Sequence, residues 1–511
     1  MAQKHIGVVG AGPGGLAVAM LLVSQGYKVT VFEKQPYVGG RTSSFQLDDF
    51  TFDLGPTFLS MPHILEELFD AAGKKLEDYL SLVELDPMYE LRFSDVIFSP
   101  SKNVHETRKK IEELFPGNGE GYERFMKQSD KKLDALMPLL QNRHSSLLDY
   151  FRLRTLRALP QLSLGRSLYD VLGDFFSDEK LKLAFTFQSK YLGMSPWECP
   201  GAFSILSYME HKYGVFHPIG GLNQIPKAMA KVIKEYGGEI VTGVGVKKLL
   251  TKDREITGVL LEDGEKVHCD DVIVNADFAH AMTHLLDDGL LKSYSKQQLK
   301  KKDYSCSTFM LYLGVNKEFK LPHHTIVFSE DYKKNVEEIT NSKVLSNNPS
   351  IYIQNACVTD PTLAPKGKSA LYILAPVPNN TSLIDWEKHK SEFRQLVLEQ
   401  IESRTEFKGL QANIEVEKMI TPLQWEKDLF VYEGATFNLS HRLKQMMYFR
   451  PHNKFQELKN CWLVGGGTHP GSGLPTIFES ARITANSILQ ENKTMTVHPT
   501  FEERTGMRGA Q

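Results

Sequence analysis

Two glycine-dense stretches carry residue types at spacings that could do chemistry: GAGPGG at 10–15 and GGGTHPGSGLPTIFESAR at 465–482. In the first, Gly10, Gly12 and Gly15 make G-x-G-x-x-G, with Gly14 between them, directly after the apolar run HIGVV and ahead of LAVAMLLVSQG. Gly10 permits a tight turn, Gly12 lets the backbone approach a pyrophosphate, and Gly15 allows a helix to pack on a strand. The helix N-terminus adds free N–H groups and a positive dipole end. Glu33 closes the next apolar run, YKVTVFE, where its carboxylate can accept from adenosine ribose hydroxyls. This acid argues against a 2′-phosphate, so the pattern points to FAD or NAD rather than NADP. Gly39-Gly40-Arg41 follows closely and could close over the diphosphate from the other side, and Asp53-Leu54-Gly55-Pro56 turns the chain sharply, as it must beside a long extended cofactor. Both features favour FAD.

The second stretch repeats the logic. A short strand at 462–464 feeds a glycine turn, and Pro475 falls in the first turn of a new helix, where a missing N–H costs nothing. With the first loop on the pyrophosphate, this second helix N-terminus can face the flavin N1/O2 edge, where negative charge appears on reduction.

The elements that position these loops follow from the hydrophobic pattern. HIGVV and YKVTVFE read as strands flanking a helix ended by Gly26, a βαβ start. Residues 62–213 read as mostly helical, with PHILEELFDAAG and DKKLDALMPLLQ as amphipathic pieces. Around 221–277 a helix stopped by a Gly pair precedes four short strands, with Asp263-Gly264 as a hairpin turn. Residues 303–440 mix strands (TFMLYLGV, SIYIQNAC, ALYILAPV) with a helix near 387–402. The expected class is α/β: a Rossmann-type FAD-binding domain (parallel sheet plus β-meander), an α+β substrate domain and a helical membrane-associating insertion. Its expected parts are 1–61 with 214–280 and 455–491 for FAD, 62–100 with 281–454 for substrate, 101–213 helical, and 492–511 a disordered tail.

Composition bounds the class. The 511 residues are 41% hydrophobic and 24% charged, enough for more than one domain, and 60 Lys plus Arg against 62 Asp plus Glu leave a net charge of −2. No global field attracts nucleic acid. Five cysteines without C-x-x-C spacing indicate neither a zinc site nor a disulfide framework and fit a reducing cytosol. MAQK runs straight into HIGVVG, with no pattern of a secretory signal, and no apolar run nears the ~20 residues of a spanning helix.

The run NCWLVGGGTHPGSGLPTIFES closely resembles the C-terminal signature of bacterial-type carotenoid desaturases, the phytoene and dehydrosqualene (diapophytoene) desaturases of the FAD-dependent amine-oxidase-like group. The resemblance covers nearly the whole chain, through VVGAGPGGLAVA, FEKQPYVGGR, FDLGP, GVFHPIGGLNQIPKAMA, VIVNAD, DYSCSTFMLYLGV and APKGKSALYILAPVP. Gly466 stands where Ala is frequent. The resemblance implies an FAD enzyme that desaturates a long linear C30 or C40 polyene by hydride loss from an allylic methylene and loss of a neighbouring proton. It implies that Gly10, Gly12, Gly15, Glu33, Gly40 and Arg41 bind the ADP half and diphosphate, that Gly467, Thr468, Gly473 and Leu474 line the flavin end, and that Val246 contacts the adenine through its backbone. A quinone or oxygen is the expected electron acceptor.

A long apolar substrate calls for a tunnel of aliphatic and aromatic groups with few charges. The candidate proton acceptors are Glu210 in SYMEHKYGVF, His469 in the second loop and Glu479 one helical turn beyond Pro475. Each has a structural alternative: a salt bridge for Glu210, loop positioning for His469, and complementing the helix dipole for Glu479. The substrate lives in a bilayer, and the stretch 143–166 interleaves Arg143, Arg152, Arg154, Arg157 and Arg166 with leucines and aromatics against the single acid Asp149. That composition suits a helix in an anionic headgroup layer, and the expected location is cytoplasmic, peripheral on the inner face of the membrane. Rival readings are a carotenoid terminal oxidase or an isomerase or saturase of the same group, an amine oxidase, and a non-enzymatic prenyl-binding protein like the GDP dissociation inhibitors.

Overall fold

The first apolar run forms a strand because four of its five residues, Ile6 to Val9, are buried, with a helix on one side of the sheet and a second layer on the other. The structure, a computed structural model, describes residues 3–143 and 159–492. Strand β1 (His5–Val9) is the centre of a five-stranded parallel sheet ordered Glu239–Thr242, β2 (Lys28–Glu33), β1, Asp271–Val274, Cys461–Leu463. Strands from both ends of the chain thus lie side by side, and their C-terminal ends share one rim. Helix α1 (Pro13–Ser24) is apolar all round and buried from Pro13 to Val23, because it is covered by the sheet, the last helix Leu474–Glu491 and the helix Gln224–Glu235.

On the other side of the sheet lies a three-stranded antiparallel meander, Val246–Lys252, Glu255–Leu261 and Lys266–His268. Its second turn carries Gly264 at φ 95°, a left-handed conformation that Gly adopts without strain. The expected parallel sheet plus meander is therefore present.

A seven-stranded mixed sheet forms the second body, ordered Ile414–Ile420, Ser307–Val315, Ser369–Val377, Ile351–Asn355, His324–Val327, Glu90–Arg92, Ile97–Phe98. Its strand Ser307–Val315 is buried on both faces. Phe309, Leu311 and Leu313 meet the helix Trp386–Arg404, while Met310 and Tyr312 meet the hairpin Ser44–Leu47 and Phe50–Asp53.

Two expectations need correction. Residues 62–213 are not mostly helical throughout: the strands Leu82–Glu84, Glu90–Arg92 and Ile97–Phe98 have three residues or fewer, too short to show a period of two. The helix Pro62–Ala71 packs into the same apolar cluster as α1 and the last helix, so it goes with the parallel-sheet body and not with the seven-stranded sheet.

The helical region 101–213 includes Val104–Leu114, Gly119–Gln141 and Ile205–Tyr213 around an aromatic-rich core. Arg152, Arg154, Arg157 and Asp149 lie outside the described residues, as do 493–511 of the expected tail. The two flanking arginines are seen, and each meets an acid: Arg143 lies 4.0 Å from Glu491 and Arg166 lies 2.7 Å from Asp174. Among the described residues no helix is long and apolar enough to cross a membrane.

Candidate functional site

The first glycine loop is tight on one side and open on the other. Gly10 takes φ 96°, and a Cβ there would lie 2.6 Å from the Asn275 carbonyl oxygen; a Cβ on Gly15 would lie 2.2 Å from the Gly10 oxygen. At Gly14 it would meet Asn275 Oδ1 at 2.8 Å and Ile477 of the last helix at 3.0 Å. These three glycines let backbone, helix and strand close up. Gly12 differs, because a Cβ there would meet only Asn275 Nδ2, at 3.0 Å. Gly12 is also the N-cap of α1, and no side chain caps that end. An uncapped helix N-terminus beside a bare backbone is the arrangement that accepts a diphosphate.

Glu33 closes the rim from β2. Its Oε2 accepts from the Ala11 N–H at 2.7 Å and its Oε1 from the Gln35 N–H at 2.9 Å, which fixes the carboxylate and leaves further lone pairs for ribose hydroxyls. Burial raises its pKa, while the backbone N–H groups and Lys34 pull it back down. Val246 begins the meander four residues after Thr242, which pairs in register with Glu33, so it belongs to the same rim. Gly40 takes φ 54° with its Cβ position 3.3 Å from Gly12 Cα, so the GGR turn rests on the loop. Arg41, half-buried, donates to the Thr436 carbonyl and lies 3.5 Å from Asp277, a carboxylate that also accepts from Asn438 at 2.9 Å. Its guanidinium is oriented by Thr436 and Asp277, partners far away in sequence that its neighbours do not reveal.

The second loop descends from Cys461–Leu463 onto the same rim. Gly465 and Gly473 have φ 112° and 116°, and Gly473 caps the last helix without a side-chain cap. A Cβ on Gly467 would meet Phe278 at 2.6 Å and Asn438 Oδ1 at 2.8 Å; Thr468 and Leu474 are buried. Three residues that sequence reasoning missed hold this loop. Asn275 donates to the Gly10 oxygen at 3.1 Å, and its Oδ1 lies 3.1 Å from the Cβ position of Gly465, so one side chain touches both glycine loops. Arg450, fully buried, donates through Nε to the Thr468 oxygen at 3.2 Å and through Nη2 to the Gly466 oxygen at 2.6 Å. Asn453 donates to the His469 oxygen at 3.1 Å. The one signal for Asn275 was a polar residue ending the apolar run VIVNAD on the strand rim.

The residues described here fit FAD. Both loops present uncapped helix N-termini, the first beside the open Gly12 backbone with the Glu33 carboxylate on the same rim, the second as a wall joined to it by Asn275.

The three candidate proton acceptors differ sharply. Glu479 is ion-paired with Arg482 and accepts from Gln141 at 3.0 Å, a committed buried carboxylate. His469 hydrogen-bonds through Nε2 to the Asn142 oxygen at 3.1 Å, which ties the second loop to the end of the helix Gly119–Gln141. Glu210 is buried in the helical region, where Oε2 accepts from Gln188 at 2.7 Å and Tyr89 at 3.2 Å. It is not brought into contact with either glycine loop by any hydrogen bond described. Burial pushes its pKa up from 4.5 to about 7, against those two hydrogen bonds. A raised carboxyl contributes stability that is complete below its unfolded value and lost as pH rises through its folded value. Glu210→Gln is therefore expected to raise the melting temperature over the parent protein by several degrees at about pH 8 and to leave it unchanged near pH 4.5. Equal shifts at both values would contradict the buried-carboxyl assignment.

The comparisons with known proteins agree with this geometry. The family model described as flavin containing amine oxidoreductase matches residues 13–489. The 4,4'-diapophytoene desaturase (4,4'-diapolycopene-forming) of Methylomonas sp is 50% identical over 493 residues, covering 96% of each chain. The zeta-carotene-forming phytoene desaturase of Myxococcus xanthus is 38% identical over 492 residues, covering 95% of this chain and 94% of that one. Among solved structures, an oxidoreductase from Methanosarcina mazei shares the fold with a TM-score of 0.62 at 19% identity, covering 95% of this chain and 100% of that one.

Proposed function

Because the chain belongs to the flavin-containing amine oxidoreductase family, and within it to the bacterial-type carotenoid desaturases, we propose that it desaturates a linear C30 precursor of the dehydrosqualene type. It is an FAD-dependent oxidoreductase of CH–CH groups. The C30 preference rests on the 50% identity to a diapophytoene desaturase over 96% of the chain. Bound at the two loops, FAD supplies a two-electron hydride acceptor.

The chain's own residues do the rest. Gly10, Gly12, Gly14 and Gly15 bind the diphosphate with Gly40 and Arg41 behind them; Glu33 and the Val246 backbone take the adenosine; Gly467, Thr468, Gly473 and Leu474 form the flavin wall. Asn275 keeps the two walls at a fixed separation. The polyene is expected to bind where apolar side chains exclude water, since a substrate without polar groups offers only dispersion and burial to bind it. Glu479, occupied by Arg482, is not proposed as the acceptor of the released proton, and His469 serves to tie the second loop to Asn142.

Residues 144–158 start two positions after Asn142, next to that tie, and their basic and apolar composition supports peripheral contact with an anionic inner leaflet as the route of polyene entry. A membrane quinone or oxygen is the proposed electron acceptor.

The test is to incubate FAD-loaded protein with vesicles containing dehydrosqualene, then float the vesicles and record the product spectrum. Co-flotation and longer-wavelength polyene bands are expected. A carbonyl product would move the chain to the terminal oxidases, and protein that stays colourless after reconstitution with FAD would sink the flavin reading altogether.

A further inference from the structure

Arg450 is among the largest fully buried side chains, and its charge is not offset by the described protein. Burial is the one influence on its pKa and leaves it a cation at neutral pH. Two carboxylates close to the second glycine loop are committed elsewhere. Glu479 is paired with Arg482, and Asp277, which accepts from Asn438 beside Gly467, lies 3.5 Å from Arg41. Holding the loop does not call for a cation. Nε and Nη2 of Arg450 bond to the Thr468 and Gly466 oxygens at 3.2 and 2.6 Å, but the neutral amide of Asn453 holds the His469 oxygen of the same loop at 3.1 Å. Nη1 of Arg450 is buried and has no partner. Taking a cation out of water without a counter-ion costs about several kcal/mol, which a neutral donor to the same carbonyls would avoid. The guanidinium therefore asks for a negative charge that a bound group supplies.

The bond from Nη2 to Gly466 also fixes what the loop presents on its other side. The Gly466–Gly467 peptide is trans, so its C=O and N–H point in opposite directions. With the oxygen on Arg450, the Gly467 N–H is aimed away from the guanidinium. Gly467 is buried, and its N–H donates to no group among the described residues. A buried backbone N–H without an acceptor is rare. The position is also kept bare, since a Cβ there would press on Phe278 at 2.6 Å and on Asn438 Oδ1 at 2.8 Å. A cation on the carbonyl oxygen draws electron density across the peptide and makes the N–H a stronger donor. A polarised, unsatisfied N–H backed by an uncompensated cation is preorganised to stabilise an anion.

Resting on the reading of the second loop as the flavin wall, we infer that Arg450 is a positioning residue that raises the reduction potential of bound FAD, through the Gly466–Gly467 peptide and through its own charge. The oxidised flavin ring is neutral. When an allylic C–H bond breaks as hydride, two electrons and one hydrogen nucleus pass to the ring, which then bears one negative charge, while the positive charge stays delocalised on the polyene. The buried cation is uncompensated beside the neutral ring and compensated beside the anion, so it favours the reduced form. An allylic methylene is a reluctant hydride donor. A raised potential in the acceptor lowers the cost of taking hydride from it.

The test titrates full-length apoprotein with oxidised FAD and, anaerobically, with dithionite-reduced FAD at about pH 8. The ratio of the two dissociation constants is compared for the parent, Arg450→Lys and Arg450→Gln. Contacts to the diphosphate and adenosine are common to both forms and cancel in the ratio, and a loop that is merely loosened weakens both forms alike. The parent is expected to bind the reduced form at least about tenfold more tightly, and Arg450→Lys to keep that preference within about threefold. Arg450→Gln is expected to lose about tenfold of it, equal to about 30 mV of a two-electron potential. In the parent alone, the spectrum of the bound reduced flavin is expected to stay that of the anion down to about pH 6. A parent that binds oxidised FAD as tightly as reduced, or holds the reduced flavin neutral at about pH 7, would overturn the role whether or not the variants fold. An Arg450→Gln ratio equal to that of the parent would overturn it as well. A parent apoprotein that binds neither form would instead overturn the flavin reading, and this role with it.

Discussion

Gly12→Val is expected to give a folded protein without flavin. The Gly12 backbone sits at φ −73° and ψ 172°, a region open to any residue, and the first side-chain carbon would meet only Asn275 Nδ2, at 3.0 Å. The cost to the apoprotein is therefore on the order of 1 kcal/mol, that of a small adjustment of one amide. The branched carbons beyond would stand on the face where the diphosphate must touch the backbone, and loss of that approach should weaken FAD binding at least about a thousandfold, ~4 kcal/mol. Gly15→Ala is the contrasting control: its Cβ would press to 2.2 Å from the Gly10 oxygen, a backbone atom that cannot yield without moving β1. That variant should lose stability and flavin together. Flavin absorbance per protein and the melting temperature of the apoprotein separate the two, and normal flavin content in Gly12→Val would refute the diphosphate assignment.

Arg450→Met is expected to lower stability by about 2–5 kcal/mol and to release flavin during gel filtration. Methionine fills most of the volume but donates nothing, so the oxygens of Gly466 and Thr468 become buried acceptors without partners, at about 1–3 kcal/mol each. Among the described residues no carboxylate pairs with Arg450; carbonyl oxygens alone hold this cation, and burial lowers its pKa only to about 10, so it stays charged at neutral pH. Its charge also helps to keep His441 neutral, and His441 Nε2 in turn accepts from the Ser472 N–H at 3.1 Å on the same loop. Two neighbouring side chains thus hold one loop, and removing the first disturbs the second. An unchanged melting temperature with full flavin retention would show that the loop holds its shape without the guanidinium.

The parts of the site legible in the sequence were those whose chemistry is local. The β1–α1–β2 start, the acid at the end of β2 and both strand-to-helix glycine turns each occupy one short stretch, where glycine spacing and the hydrophobic pattern carry the signal. The meander was legible for the same reason, since Asp263-Gly264 marks its hairpin. The place of the helix Pro62–Ala71 beside the parallel-sheet body is not legible, because its amphipathic pattern says that one face is buried and nothing about which sheet or helix covers it. The short strands after it were missed because three residues cannot display a period.

The sequence by itself determined the cofactor class, the family and the places where backbone must be bare, because these depend on glycine and acid positions within a few residues of one another. Only the tertiary structure decided how the two glycine loops become one site. Parallel pairing of Cys461–Leu463 beside Asp271–Val274, and of that strand beside β1, brings loops some 450 residues apart onto one rim with Asn275 between them. It also decided which polar groups serve that site. Glu479 is paired to Arg482 across one helical turn, and Arg450 reaches its carbonyls from 16 and 18 positions away. Side-chain partners at such separations are set by strand order and layer packing, which no local pattern of residues encodes.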